Sequence, residues 1–314
     1  MFRKGEAPLS HIIKEWISQV DGRFSTRQLD NDLEILTSQE KVLRRGVIKE
    51  LCDDGKIERI ASMVGIYRKI DTSVALIDWQ HADPKNVLSV RWPFELEKYI
   101  KIFPKTIAIV AGGKDAGKTR FLHDFVLLNM YHKLGIDFFN SETGKEQLRE
   151  RFDETGIDIP DPAPFNVYER YDNFADVIDP DRISVIDYLD VNSEVYMVGE
   201  EIDRIFRKLR GGLALIGLQK PPPTVIYVRG EPQKKYRDLA YGGGFTAKRA
   251  SLYLSLDDNK IKILIAKTPA NPQVNPKNKM WSFWIEKGAR FRNIKPYTGE
   301  DIDGADIRET LMSL

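Results

Sequence analysis

The spacing of apolar positions changes character about a third of the way along the chain. From Leu9 to Val20, the residues Ile12, Ile13, Trp16, Ile17 and Val20 recur at helical spacing and stop at Asp21-Gly22. Phe24-Ser25-Thr26 predicts a second helix with Ser25 or Thr26 as its N-cap. Thr37-Ser38-Gln39-Glu40 opens a third, which runs through Val42, Val47, Ile48 and Leu51 to Asp54-Gly55. Two short β-like runs, Lys56–Ile60 and Gly65–Ile70, close this part. Residues 71–92, with Pro84, read as a linker. Beyond it the apolar runs become continuous, at Thr106–Val110, Ile136–Asn140, Phe165–Tyr168, Ile183–Ile186 and Leu213–Leu218. Such runs fit parallel strands covered on both faces. Helical stretches at Arg120–Leu134, Thr143–Thr155 and Glu194–Arg210 alternate with them. Three later runs, Ser251–Leu256, Lys260–Ala266 and Trp281–Glu286, read as antiparallel strands finishing the sheet. The pattern predicts an α/β domain with a mainly parallel sheet over 93–296, a small unit at 1–70 and an acidic tail at 297–314.

Composition changes this picture little. The 314 residues are 42% hydrophobic and 30% charged, with a formal net charge of +1. A balance so close to neutral gives no global basic field, so any DNA contact must come from local patches. No apolar run is long enough to span a membrane, and the first residues hold no apolar signal core. Cys52 is the only cysteine, and it sits in a helical pattern that predicts a small buried apolar residue. A cytoplasmic, reducing location is expected.

Candidate chemistry starts at Gly112-Gly113-Lys114-Asp115-Ala116-Gly117-Lys118-Thr119. The strand before it and the helix after it, which opens with Arg120, give the context of a P-loop. Glycines let backbone N–H groups turn onto phosphate oxygens at the positive end of the helix. Lys118 is placed to reach the β- and γ-phosphates of ATP, and the Thr119 hydroxyl to ligate Mg²⁺. Asp187 ends the strand Ile183–Ile186, where an NTPase holds its magnesium. Glu142 follows Ile136–Asn140, where a base for the attacking water belongs, although a first-turn glutamate favoured by the helix dipole has the same appearance. Gln219 follows Leu213–Leu218 and is placed to sense the γ-phosphate.

These positions carry a family resemblance. Phe139-Asn-Ser-Glu142 with Gln147-Leu148-Arg149, Val185-Ile-Asp-Tyr-Leu189, Gly217-Leu-Gln219, Ile263–Lys267 and Arg290–Asn293 resemble the RecA-like motor domain of the DnaB-type replicative helicases. The resemblance runs from about Pro93 to Pro296. It implies a RecA-like fold, ATP hydrolysis with Lys118, Glu142 and Gln219 as catalytic residues, a homo-oligomer with sites between subunits, and DNA in a central channel. The family's last-strand lysine is followed two residues on by an arginine that completes a neighbouring site; here Lys267 is followed by Thr268 and Pro269. Arg249, Arg290 and Arg292 are the candidate substitutes.

Residues 8 to about 70 resemble a winged helix-turn-helix domain in pattern. Its third helix would offer Lys41, Arg44, Arg45 and Lys49 to duplex DNA. A protein-docking winged helix fits the same residues nearly as well. The segment Lys220–Gly244 interleaves Arg229, Lys234, Lys235 and Arg237 with Tyr227, Tyr236 and Tyr241, a composition suited to single-stranded DNA. Two functions follow: an ATPase acting on DNA as helicase or translocase, or an ATP-gated loader, recombination mediator or regulator. A small-molecule kinase lacks an arginine-rich lid.

Overall fold

The computed structural model describes residues 7–20, 22–189, 197–228, 231–257, 259–286 and 290–297. Arg229 and nearly all of the acidic tail therefore lie outside the described residues. The chain divides into two compact units, Met1–Ala82 and Asp83–Leu314.

In the first unit, helices α1 (Leu9–Gln19), α2 (Thr26–Asp32) and α3 (Ser38–Asp53) enclose an apolar core with Ile13, Trp16, Phe24, Leu29 and Leu51. Ser25 caps α2 through the amide of Gln28 at 2.9 Å. Thr37 and Glu40 form a capping box at α3, which satisfies amides that have no intrahelical partner. Strands β1 (Arg23–Ser25), β2 (Ile57–Arg59) and β3 (Ile66–Lys69) form an antiparallel sheet in the order β1-β3-β2. The sequence pattern predicted only the last two strands; Arg23–Ser25 is too short to show an alternation. Cys52 is half-buried on α3, and partial burial pushes its thiol pKa up.

The second unit contains β4 (Thr106–Gly112), α4 (Lys118–Leu128), β5 (Ile136–Asn140), α5 (Lys145–Asp153), β6 (Asn166–Glu169), α6 (Phe174–Val177), β7 (Ile183–Asp187), α7 (Met197–Lys208) and β8 (Leu213–Gln219). After these come β9 (Thr224–Val228), β10 (Glu231–Lys235), α8 (Gly244–Ala247), β11 (Ala250–Asp257), β12 (Lys260–Ala266), β13 (Met280–Glu286) and β14 (Arg290–Pro296). Among the described residues one sheet of nine strands runs β14-β13-β12-β11-β4-β8-β7-β5-β6. Strands β11, β4, β8, β7, β5 and β6 are mutually parallel, and β12 to β14 continue antiparallel. One expectation needs correcting here. Ser251–Leu256 is antiparallel only to β12; it pairs parallel with the P-loop strand β4, with Leu254 opposite Val110. A short continuous apolar run does not reveal the direction of its neighbour.

Alternate residues of the central strands feed two cores. Ala108 and Val110 face one, with Phe121 and Phe125 of α4; Ile107, Ile109 and Ala111 face the other, with Ile202 and Ile205 of α7. Burial on both faces explains why the sequence showed continuous runs. Leu88, Val90 and Trp92, assigned to the linker from the sequence, are buried in the first of these cores, Trp92 against Phe125 at 4.7 Å. Strands β9 and β10 form a separate antiparallel ribbon inside the segment expected to be a loop. No helix among the described residues is long and apolar enough to cross a membrane.

Candidate active site

Parallel strands bring their C-terminal ends to one edge of the sheet, which is where α/β proteins bind ligands. In the register, Gly112 of β4 pairs with Gln219 of β8, and Asn140 of β5 pairs with Asp187 of β7. Residues from four separate stretches of sequence are therefore adjacent.

The turn from β4 into α4 depends on one glycine in particular. Gly117 has φ of 92°, and a Cβ there would stand 2.6 Å from Ile285 Cδ1 of β13. The left-handed backbone is what favours glycine here, and an added Cβ would also have to push the end of the Ile285 side chain aside. Gly117 is the N-cap of α4 and puts Lys118, Thr119 and Arg120 in its first turn. Lys118 is buried; its Nζ donates to Gln219 Oε1 at 3.2 Å and lies 4.3 Å from the centre of the Tyr188 ring. The Thr119 hydroxyl is 3.2 Å from both Glu142 Oε2 and Asp187 Oδ1.

Asp187 is buried, and that burial pushes its carboxyl pKa up to about 6, with Lys118 opposing and Glu142 reinforcing the shift. Its second oxygen, Oδ2, is buried with no hydrogen-bond partner. An orphaned carboxylate oxygen beside a threonine hydroxyl suits a hard cation such as Mg²⁺. Among the described residues no group of three or more His, Cys, Asp or Glu could hold a metal, so an ion here would need phosphate and water as further ligands.

Glu142 sits ahead of α5, in a loop fastened by Asn140. The Asn140 amide donates to Thr143 O at 2.5 Å and accepts from the Thr143 amide at 3.3 Å. Helix α5 starts at Lys145 with Gly144 as its N-cap, so Glu142 lies ahead of the first turn, which holds Glu146. Ser141 ties this loop to β7: its hydroxyl donates to Tyr188 O at 2.9 Å, and its amide donates to Asp187 O at 2.9 Å. Asn140 and Ser141 stand inside the run Phe139–Glu142 quoted for the resemblance, but the sequence assigned them no role, because that role is local hydrogen bonding.

A pocket of about 530 Å³ opens above these groups and is lined by the P-loop from Gly113 to Arg120 with Glu142 and Gln219. Helix α5 supplies its other wall through Gln147, Glu150 and Arg151, and Glu154 follows. A second pocket of about 440 Å³ shares Gly113 to Ala116 and Gln219 and extends to Lys234, Tyr236 and Tyr241. Between strand and ribbon, Lys220 is buried with its Nζ 2.7 Å from Ser255 Oγ and 2.5 Å from Asp257 Oδ2. Burial lowers its pKa while Asp257 raises it. No sequence signal marked this pair.

Some expected residues are occupied otherwise. Arg120 is buried and its guanidinium is ion-paired to Asp124; burial lowers its pKa to about 10. Its guanidinium is thus engaged by Asp124, while the residue still lines the pocket described above. Arg44 is ion-paired to Asp30 and also donates to Thr26 O at 3.4 Å, which removes it from the α3 residues open to DNA. Arg45 is exposed on α3, and Lys234, Lys235 and Arg237 are exposed on and after β10. Of the candidate replacements for the family's arginine, Arg249 pairs with Asp203 at 2.5 Å and Arg292 with Glu286 at 2.8 Å. Pro269 forms a β-bridge with Ile100 in its own chain.

No family model matches this chain, and no curated protein matches it. Among solved structures it is similar to one described as an ATPase domain, with a TM-score of 0.46 and 15% identity over 68% of this chain and 94% of that chain.

Proposed function

We propose that this chain is a magnesium-dependent ATPase of the RecA-like type that acts on DNA. The observation that carries the reading is the cluster of Lys118, Thr119, Glu142, Asp187 and Gln219 at the C-terminal ends of β4, β5, β7 and β8. Backbone amides from Gly113 to Thr119 would bind the β- and γ-phosphates, with Lys118 neutralising them. Thr119 and Asp187 would hold Mg²⁺, which when bound neutralises charge on the phosphate oxygens. Glu142 would take a proton from water as the water oxygen bonds to the γ-phosphorus. The bond from that phosphorus to the bridging oxygen breaks, and ADP leaves with its electron pair. Gln219 bonds Lys118 and precedes Lys220, so loss of the γ-phosphate would be felt at the base of the β9–β10 ribbon.

Single-stranded DNA is assigned to the ribbon, through Lys234, Lys235 and Arg237 as phosphate contacts and the exposed Tyr227 and Tyr241 as stacking surfaces. The three helices and antiparallel sheet of the first unit fit a winged helix, with Arg45 facing duplex DNA or a protein partner. The second reading, an ATP-gated loader or recombination mediator that turns over slowly, is favoured by one observation. Where the family keeps its arginine, Pro269 is fastened to Ile100 within the same chain. ATP turnover measured with and without single-stranded DNA at low salt tests the motor. Stimulation by DNA supports it, and turnover indifferent to DNA rejects it. Unwinding of a forked duplex then separates helicase from mediator.

A further inference from the structure

Helix α3 of the first unit divides its residues unevenly between core and solvent. Val47, Ile48 and Leu51 are buried, and Arg44 on the same side is held by Asp30. The opposite face presents Val42, which is 62% exposed, and Leu43, which is 41% exposed. Leu36, just before the N-cap Thr37, is 77% exposed. A hydrophobic residue at that position often packs onto the first turn of its helix, and this one is left to solvent. Gly46 lies one turn beyond Val42 on the same face, and a Cβ built on it would meet nothing within 4 Å. Nothing inside the protein therefore calls for glycine, which destabilises a helix interior relative to alanine. A partner that approaches the helix backbone closely would use it.

One flank of the Val42–Gly46 strip is a ridge of cations, Lys41, Arg45 and Lys49, spaced four residues apart. Arg45 and Lys49 are exposed, Lys41 is half-buried, and none is paired with a carboxylate among the described residues. Lys14 and Lys56, by contrast, are matched to Glu50 and Asp54. Phosphates would answer the cations and leave three exposed aliphatic side chains unused. An apolar strip beside an unmatched basic ridge instead selects a segment that is apolar on one side and acidic on the other.

The protein carries such a segment at residues 298–314, outside the described residues. Glu300, Asp301, Asp303, Asp306 and Glu309 stand there against a single cation, Arg308. Ile307, Leu311 and Leu314 are spaced at i, i+4 and i+7, the interval of one helical face. On a helix that stripe would run about 10 Å, the same length as α3 from Val42 to Lys49. We infer that the exposed face of α3, centred on Val42 and Gly46, is a docking surface for residues 298–314 of this protein. The aliphatic residues of the segment would lie on Leu36, Val42 and Leu43, and its carboxylates along Lys41, Arg45 and Lys49. Those cations are then closed to a polyanion, so the docked segment restrains nucleic-acid binding at this face. The inference does not depend on the ATPase reading.

The test uses a fluorescein-labelled peptide of residues 298–314, read by anisotropy against the full chain and against the chain shortened by that segment. The shortened chain should bind the peptide more tightly by about tenfold or more, because the full chain's own segment competes. In the shortened chain, Val42→Asp and Gly46→Gln should each weaken the peptide by about tenfold or more. Gly46→Gln should do so without lowering the melting temperature, since glutamine is the better helix former. In the full chain, a benzophenone amino acid in place of Leu43 should crosslink to residues 298–314, a readout that needs no shortened chain. The inference is overturned if full and shortened chains bind the peptide alike, or if Gly46→Gln binds it within about threefold of its parent. Crosslinks that map only to other segments overturn it as well. Loss of duplex DNA binding in Gly46→Gln with peptide binding intact would assign the face to nucleic acid and reject the segment as its occupant.

Discussion

The P-loop edge of the sheet and the β9–β10 ribbon both carry basic residues, but the two are built in opposite ways. At the sheet edge Lys118 and Asp187 are buried, Lys118 is bonded to Gln219, and Thr119 is bonded to both Glu142 and Asp187. On the ribbon Lys234, Lys235 and Arg237 are exposed and stand beside exposed tyrosines. The first arrangement is preorganised, so removing one group should damage chemistry. The second is adaptable, and removing one group should only weaken attraction for a polyanion.

The largest expected effect is at the sheet edge. Lys118→Ala should lower ATP turnover by about a thousandfold or more, measured as steady-state phosphate release. A loss no larger than that from a ribbon substitution would erase the distinction between the regions. Lys220 sits where the two meet. Lys220→Met removes one partner of a buried ion pair and leaves Asp257 behind, with an expected cost of about 3 kcal/mol in thermal or urea unfolding. Stability indistinguishable from the parent would mean that the pair does not fasten the ribbon's base.

On the ribbon itself, changing Lys234, Lys235 and Arg237 together to Gln should reduce the salt dependence of single-stranded DNA binding. The slope of log affinity against log salt should fall by about 2, near 0.7 for each phosphate no longer neutralised. Melting temperature should not move. An unchanged slope removes DNA from this surface.

The smallest effect concerns His123, which is buried behind the pocket against Phe138 and Phe152. Burial first, then Arg120 and Arg151, lower its pKa from 6.5 to about 3. The folded chain thus binds fewer protons here than the unfolded chain between those values. Stability from this group is fully present above pH 6.5 and is lost as pH falls toward 3. His123→Phe should reduce the loss of stability from pH 6.5 to 5.5, which otherwise approaches about 1 kcal/mol. Parallel pH profiles for parent and variant would assign the acid sensitivity elsewhere.

The two regions also differed in how much of them could be read from sequence. Strands β4, β5, β7 and β8 announced themselves because each is buried on both faces, and their ends bear residues whose type and order suit one chemistry. Ala250–Asp257 was recognisable as a strand but not as a parallel neighbour of β4, since partner and direction depend on residues distant in sequence. The ribbon was hidden by Pro221 to Pro223 and by its charge, which resemble a loop. Arg44 and Arg45 are adjacent and chemically identical, yet only the fold brings Asp30 to the former. The roles of Ser141 and Lys220 escaped notice for the same reason: they come from what surrounds these residues in space.

The most direct test of the central claim is nucleotide binding and turnover by Glu142→Gln in parallel with the parent. If Glu142 is the base at a magnesium ATP site, the variant binds Mg·ATP with an affinity within about threefold of the parent while turnover falls by about a thousandfold. Turnover that survives the substitution, or a parent protein that does not bind Mg·ATP, would contradict the account.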